Sequence, residues 1–483
     1  MSEACSTLPS ASTSSSYFRR NARSLHKIVD VSLSFQTSAS PCVGAGFRCT
    51  VATRGAADFA NKRYQTYSVR TVDGVLDGEW SDFDEKLVRQ SQKDADSAYE
   101  KSMLPVSSLD ALKLSGSVDI EKLSAGAADR FNLLGLTLTE LERFATDIGL
   151  PAYRGKQLRD HIYAGSTARS VDDLVSLPKS IRAAFVTAGV CIGRSTVHHV
   201  TAAPDGVVKL LLRLGDDRIV ETVGIPATEN GKNRLTACVS SQVGCPMRCS
   251  FCATGKGGFA RNLASHEIVD QVLSLEEHFG KRVTNVVFMG MGEPLLNIPN
   301  VLRAYLVLNT EIGIGARHMT ISTVGVRGSL EKLAGARLQS TLAVSLHAPS
   351  QDLREMIIPS AKSYPLDELL HDCVQYFIAT GRRVTFEYTL LAGVNDSPDQ
   401  AIKLAELLYE SRLASHVNLI PYNPVHDAPD FVRPARAAVL KFQRVLEDLN
   451  IPSSIRQSRG LEAAAACGQL RNSYQKFPFE STD

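Results

Sequence analysis

The sequence predicts an α/β protein whose main body is a sheet of parallel strands with helices outside it. From about residue 235 onward, short β-like runs alternate with helix-like runs in a regular order. Hydrophobic residues make up 44% of the 483-residue chain and charged residues 22%, so a sizeable core can be buried. Ten cysteines in so long a chain do not make a disulfide scaffold, and four of them crowd between Cys238 and Cys252. Such alternation builds either an open sheet or a complete or partial barrel, and active residues then fall at the C-terminal ends of strands.

The elements follow in order. The first 50 residues hold 12 serines and only two acids, Glu3 and Asp30, against Arg19, Arg20, Arg23, Lys27 and Arg48. A Ser- and Arg-rich, acid-poor start is the composition of an organellar transit peptide, and a plain disordered tail is the alternative. We assign 1–70 to it and expect a plastid, with mitochondrion or cytoplasm as alternatives. Residues 71–130 turn acidic and polar and read as a linker. Folded sequence begins near Phe131. Thr137-Leu-Thr-Glu140 opens a helix with a capping-box pattern, 154–164 repeats the helical period, and Ser170 opens a third short helix. This small helical domain spans 131–195. Its Arg154, Lys156, Arg159, Lys179, Arg182 and Arg194 are either a solvated face or a contact for an RNA backbone.

Turn signals at Pro204-Asp-Gly206 and Gly215-Asp-Asp217 frame strands at 207–214 and 218–225, a β-hairpin extension over 196–234. The α/β body covers 235–475, with strands at 235–240, 283–289, 318–323, 341–346, 383–390 and 416–421. Helices are expected at 265–279, after the Ser397-Pro398 cap, and at 433–449. Residues 476–483 form a tail. No run of 18 apolar residues occurs, so no membrane span is expected. Lys and Arg number 53 against 51 Asp and Glu, and this +2 balance neither announces nor excludes a nucleic-acid partner.

The chemistry concentrates in Cys245-Pro-Met-Arg-Cys249-Ser-Phe-Cys252, just after the first strand of the α/β body. Three thiolates within eight residues suit a soft metal or an iron–sulfur cluster. A structural zinc site wants four ligands, and no fourth lies nearby. Zinc with a distant fourth ligand and unliganded buried cysteines stay open. On a [4Fe-4S] cube, three cysteines leave one iron free for another molecule.

This spacing resembles the radical S-adenosylmethionine (SAM) signature. Further segments narrow the resemblance: Cys238-Val-Ser-Ser-Gln-Val-Gly-Cys245, Gly258-Phe-Ala-Arg-Asn262 and Asn285-Val-Val-Phe-Met-Gly-Met-Gly-Glu-Pro-Leu295. Ser322-Thr323, Ser345-Leu-His-Ala-Pro349, Val394-Asn-Asp396, Asn418-Leu-Ile-Pro-Tyr-Asn-Pro424 and Ala466-Cys-Gly-Gln-Leu470 complete the set. In this order, from about 131 to 475, they resemble the adenine-C2 RNA methyltransferases of the RlmN/Cfr type.

The resemblance implies a partial (β/α)6 TIM-type radical SAM barrel behind a small N-terminal helical domain and a short β-hairpin extension. It implies that Cys245, Cys249 and Cys252 hold a [4Fe-4S] cluster. Gly292, Glu293, Ser322, Ser345, Leu346, His347 and Asn423 would bind SAM, two molecules of which are used per turnover. The first SAM would methylate Cys467. A radical from the second would convert that S-methyl to a methylene that joins adenine carbon 2. Cys238 would then attack the sulfur as a thiolate, leaving a disulfide, and Glu221 would take the proton from the carbon. Carbon 2 lies between two ring nitrogens and is too electron-poor to attack a SAM methyl as a nucleophile, which is why radical chemistry is needed.

The implied partners are large-subunit rRNA and, in some members, tRNA, together with an electron donor such as flavodoxin or ferredoxin; a monomer without a membrane partner is expected. Arg317, Arg382, Arg383, Arg433, Arg436 and Arg444 are candidates for contacts to the RNA. Methylation at carbon 8, or a radical SAM reaction on a non-RNA substrate, is the alternative reading. The chain departs from the family pattern in two places: Leu461, Glu462 and a run of Ala follow Arg459-Gly460, and Tyr422 stands where a Trp is common.

Overall fold

Ten strands make the sheet that positions the site. In the computed structural model of the protein, residues 131–164, 168–229, 232–425 and 431–471 are described. The expected transit peptide, the linker at 71–130 and the tail lie outside the described residues.

Strands β1 (Phe131–Asn132) and β2 (Val190–Cys191) pair in parallel outside this sheet. Within it, β3 (Thr196–Ala202), β4 (Val208–Arg213), β5 (Ile219–Glu229) and β6 (Lys232–Cys238) form an antiparallel meander. From β6 the sheet continues in parallel through β9 (Asn285–Phe288), β10 (Met319–Thr323), β11 (Thr341–Ser345), β12 (Val384–Leu390), β13 (Ser415–Pro421) and β14 (Ser453–Ile455). The order β14-β13-β12-β11-β10-β9-β6-β5-β4-β3 leaves β14 and β3 as its two ends, so the barrel is partial. Six parallel strands were expected. The three-residue β14 adds a seventh, too short to carry a readable alternation.

The hairpin expected at 196–234 is not an appendage. β5 pairs with β6 across the 234/235 boundary, from Glu229↔Lys232 to Val223↔Cys238, so backbone bonding carries the meander into the barrel sheet. Nor does 131–195 have a core of its own. Leu141, Leu158 and Phe185 share one buried cluster with barrel residues such as Val286 and Phe386.

The helices form where caps and periodicity place them. α1 (Leu138–Asp147) starts at Thr137, whose amide donates to Glu140 Oε2 at 2.8 Å, one half of the capping box. α2 (Tyr153–Tyr163), a 3₁₀ turn (Val171–Asp173) and α3 (Lys179–Thr187) complete the N-terminal segment. The short α4 (Ala253–Lys256) follows the cysteine loop, and α5 (Ser265–Phe279) stops before Gly280. Next come α6 (Ile298–Thr310), α7 (Ser329–Gly335), α8 (Gln351–Ile357), α9 (Leu366–Thr380) and α10 (Pro398–Glu410), the last capped by Ser397. α11 (Arg436–Asp448) begins three residues later than expected, because Pro434 disfavours helical backbone at Arg433. No described helix is long and apolar enough to cross a membrane.

The basic residues of the N-terminal segment are largely engaged inside the protein. Arg194 pairs with Asp270 on α5, both side chains almost wholly buried, and Asp270 also accepts from the Ser195 amide at 2.7 Å. Arg159 pairs with Glu311 at 3.2 Å, and Arg154 donates to the Ser176 carbonyl at 2.9 Å. Arg182 donates to the Asp172 carbonyl at 2.6 Å. Lys156 and Lys179 are the exposed members of the set.

Candidate active site

The cysteine loop is anchored by a two-stranded ribbon, β7 (Gln242–Gly244) against β8 (Phe259–Asn262). Gly244 has φ +83°, and a Cβ there would lie 2.1 Å from the Gly258 carbonyl oxygen, so only glycine lets the two backbones meet. The Cys245 amide donates to that same carbonyl at 2.8 Å. The loop then turns back on itself, with the Cys252 amide on the Cys249 carbonyl at 3.1 Å. Ser250 ties it to the barrel through the Ile357 carbonyl, 3.0 Å from both its amide and its hydroxyl.

Above the loop lies a cavity of about 150 Å3 with an open mouth. All three cluster cysteines line it, together with the ends of β9 to β13. The donor set fits an iron–sulfur cube. Three free thiols line one cavity, a soft donor set of the kind that an iron–sulfur cluster takes. Burial pushes the Cys245 and Cys249 thiols well up, so thiolates there need the positive charge that irons bring.

The strand ends supply the other walls. Gly292, φ +104°, leaves no room for a side chain: a Cβ would fall 2.6 Å from Gln242 Cβ. Gln242 in turn accepts from the Glu293 amide at 2.8 Å. The Glu293 carboxyl lines the cavity, but each oxygen already takes one backbone amide, Leu295 and Val324, both at 2.9 Å. Burial pushes it up to about 7 against those bonds. Ser322 and Ser345 line the cavity from β10 and β11. His347 has φ +59° and accepts from the Thr389 amide at Nδ1, 2.9 Å away. Burial, aided by the Arg354 charge, pushes it down to about 3, so the ring is neutral with its proton on Nε2. Its edge meets Phe251 of the cysteine loop at 4.9 Å between centroids.

Two expected SAM residues have further engagements. Leu346 does not line the cavity: its side chain is in the core, and its carbonyl accepts from Arg354 Nε at 3.2 Å. Strand alternation turns it away from the face that Ser345 presents. Asn423 lines the cavity, but its amide holds the Cys467 carbonyl at 3.1 Å, while its oxygen accepts from Arg433 at 3.1 Å and Ser458 at 2.7 Å. Arg433 therefore serves the wall of the site.

Cys467 and Gly468 line the same cavity as the cluster cysteines. The Cys467 turn is stitched to the cysteine loop: Ala253 donates to the Gly468 carbonyl at 2.7 Å, and Thr254 Oγ1 to the Leu470 carbonyl at 2.7 Å. Cys238 ends β6 and is buried. Burial, with Cys467 as the next contributor, pushes its thiol up to about 12, and Arg456 opposes them. Cys238 and Cys467 are neighbouring free thiols, not a disulfide. Glu221 is not among the cavity-lining residues. It is 1% exposed on β5, paired with Lys209 at 3.5 Å, and burial raises its carboxyl above the ordinary range.

The sequence reading missed Glu387 and Arg456, which also line the cavity. Glu387 Oε1 accepts from Asn418 at 2.9 Å, while Oε2 has no hydrogen-bond partner and faces Arg456 Nη1 at 4.0 Å. The signal was present: one acid in the middle of a strand whose seven residues are otherwise uncharged and all buried.

Residues 239–405 match the family model described as the radical SAM superfamily. A protein of Nostoc punctiforme named "Probable dual-specificity RNA methyltransferase RlmN" is 56% identical over 345 residues, 71% of this chain and 93% of the relative. Its namesake in Synechocystis is 56% identical over 341 residues, 71% of this chain and 95% of the relative. A crystal structure of a radical SAM methyltransferase from Sphaerobacter thermophilus superposes with a TM-score of 0.65 at 42% identity, covering 70% of this chain and 99% of that one. With the three-cysteine loop, the partial barrel and Cys467 in one cavity, this likeness over nearly the full length of its relatives establishes that the chain belongs to the RlmN/Cfr-type family of radical SAM enzymes.

Proposed function

We propose that the protein methylates carbon 2 of an adenosine in large-subunit rRNA, and in tRNA where the anticodon loop presents the base, through an S-methyl group on Cys467. The observation that carries this reading is the placement of Cys467 in the wall of the cavity that the cluster cysteines line, with Cys238 as its neighbour. A radical SAM enzyme of another kind has no need of that pair. A reduced [4Fe-4S] cluster on Cys245, Cys249 and Cys252, with bound SAM, supplies the hydrogen-abstracting radical. The chain's own groups do the rest. Cys467 carries the carbon to the base. Cys238 attacks the Cys467 sulfur as a thiolate, so an S–S bond replaces the S–C bond and the base leaves methylated. Glu221 takes the carbon-2 proton, for which the base must reach behind the Cys467 turn. Ser322, Ser345 and the Nε2–H of neutral His347 offer polar contacts to SAM.

Nucleoside mass spectrometry of rRNA and tRNA treated with reduced, reconstituted enzyme tests the reading. Wild type should yield 2-methyladenosine and Cys467→Ala none. Wild-type yield from Cys467→Ala refutes the mechanism, and 8-methyladenosine as the product would assign carbon 8 instead. Flavodoxin or ferredoxin is the proposed reductant. A plastid location is supported by the composition of 1–70 and by the cyanobacterial relatives. Import of the labelled full chain into isolated plastids, with loss of its N-terminus, tests it; exclusion refutes it.

A further inference from the structure

One ion pair grips both arms of the turn that bears Cys467. Lys209 on β4 lies opposite Val223 on β5, two residues from Glu221, so the two side chains are diagonal neighbours on one face of the sheet. Their charged atoms are 3.5 Å apart, and the side chains are 10% and 1% exposed. Lys209 Nζ also donates to the Ala464 carbonyl at 3.1 Å. Glu221 accepts from the Arg471 backbone amide, and its Oε2 has no hydrogen-bond partner. Ala464 stands three residues before Cys467 and Arg471 four after it. The turn needs holding, because Ala464 sits at φ +47°, a backbone conformation that L-residues adopt only at a cost. Its ties to Asn423, Ala253, Thr254 and Pro424 are hydrogen bonds between neutral groups, and the next charged contact lies upstream, where the Gly460 amide donates to Asp205 Oδ2 at 2.8 Å.

We propose that Lys209 and Glu221 form a charge-dependent clamp on the Cys467 turn, closed while Glu221 is a carboxylate and loosened when it carries a proton. Lys209 is the charged group that faces Glu221; the Arg471 backbone amide is its other partner. A proton on Glu221 removes the counter-charge from a buried ammonium and weakens the acceptor for Arg471, so both arms lose their hold together. Lys209 is thus a positioning residue. The timing rests on the proposed reaction: Glu221 gains its proton as the base is methylated, and the turn is then freed for the product to leave.

Hydrogen exchange of the full-chain, cluster-reconstituted protein without RNA or SAM tests the clamp. In Glu221→Gln, a neutral near-isostere of the protonated state, backbone amides over 461–471 should exchange about tenfold faster, the loss of roughly one charged hydrogen bond. Amides of α9, Leu366–Thr380, report the rest of the fold and should not change. Lys209→Met should mimic the effect, and Lys209→Arg should restore wild-type protection. Lys209→Met leaves a buried charge unpaired and can unfold the segment, so Glu221→Gln decides alone. Wild-type exchange over 461–471 in that variant, or equal acceleration in α9, overturns the proposal. A methylation assay on the same wild-type preparation keeps the two ideas apart, because a missing 2-methyladenosine product would refute the reaction while leaving the clamp measurable.

Discussion

Replacing Gly244 with alanine isolates what the β7–β8 ribbon does for the cluster cysteines. The new Cβ would sit 2.1 Å from the Gly258 carbonyl oxygen, so the two backbones must part by more than about 1 Å to reach ordinary contact. Parting them breaks the 2.8 Å bond from the Cys245 amide to that oxygen. Holding alanine at φ +83° costs about 1–2 kcal/mol, and the lost bond about 1 kcal/mol more. At about 2–3 kcal/mol, the cluster-competent arrangement of Cys245 loses a factor of roughly 30–150 in population. The control is Gly381→Ala at the end of α9, where φ is +66° but nothing lies within 4 Å of the added carbon. It carries the conformational cost alone and leaves the cysteine loop untouched. Both variants are reconstituted anaerobically, and iron loss to a chelator is followed by absorbance. Gly244→Ala should lose iron at least tenfold faster than Gly381→Ala. Equal rates would refute the claim that close backbone contact at Gly258 sets the position of Cys245.

Arg456→Gln removes the cation that favours the Cys238 thiolate. Burial and Cys467 already hold that thiol at about 12, so it should rise further, and alkylation of Cys238 at mildly alkaline pH should slow by about tenfold per unit of rise. An unchanged rate of Cys238 alkylation at the same pH would dismiss Arg456 from this role. Glu267 offers a test of pH-dependent stability. Burial raises its carboxyl, but bidentate bonds from Arg261, both at 2.8 Å, outweigh burial and hold it below the ordinary 4.5. Its contribution to stability is therefore full above about pH 4.5 and is lost as pH falls through the lower folded value. Arg261→Met should cost roughly 3–5 kcal/mol at neutral pH by leaving that charge unpaired. Acidifying this variant from neutral should then restore stability, the reverse of wild type; a parallel pH dependence in denaturant melts would sink the assignment.

Local chemistry was legible along the chain. The three-cysteine spacing, the Thr137 and Ser397 caps and the six strands of the barrel were all read from residues close together, whereas Glu293, Ser345 and His347 were singled out by the family resemblance. Each of those local features depends on periodicity or backbone chemistry within a few positions, which an ordered string of residues carries directly. The neighbours of those residues were not legible. Cys467 meets Cys238 across more than 200 residues of chain, a meeting that only the family resemblance implied and no local pattern carried. Arg159 and Arg194 are consumed by Glu311 and Asp270, Leu346 turns into the core, and Asn423 spends its amide on Cys467. Glu387 and Arg456 enter the cavity unannounced, and Lys209 reaches Glu221 only through the register of β4 on β5. Such pairings follow from which surfaces bury one another once the sheet and its helices have assembled. Burial then sets which charges find partners and which thiols are pushed from their ordinary state, and no short stretch of sequence contains that information.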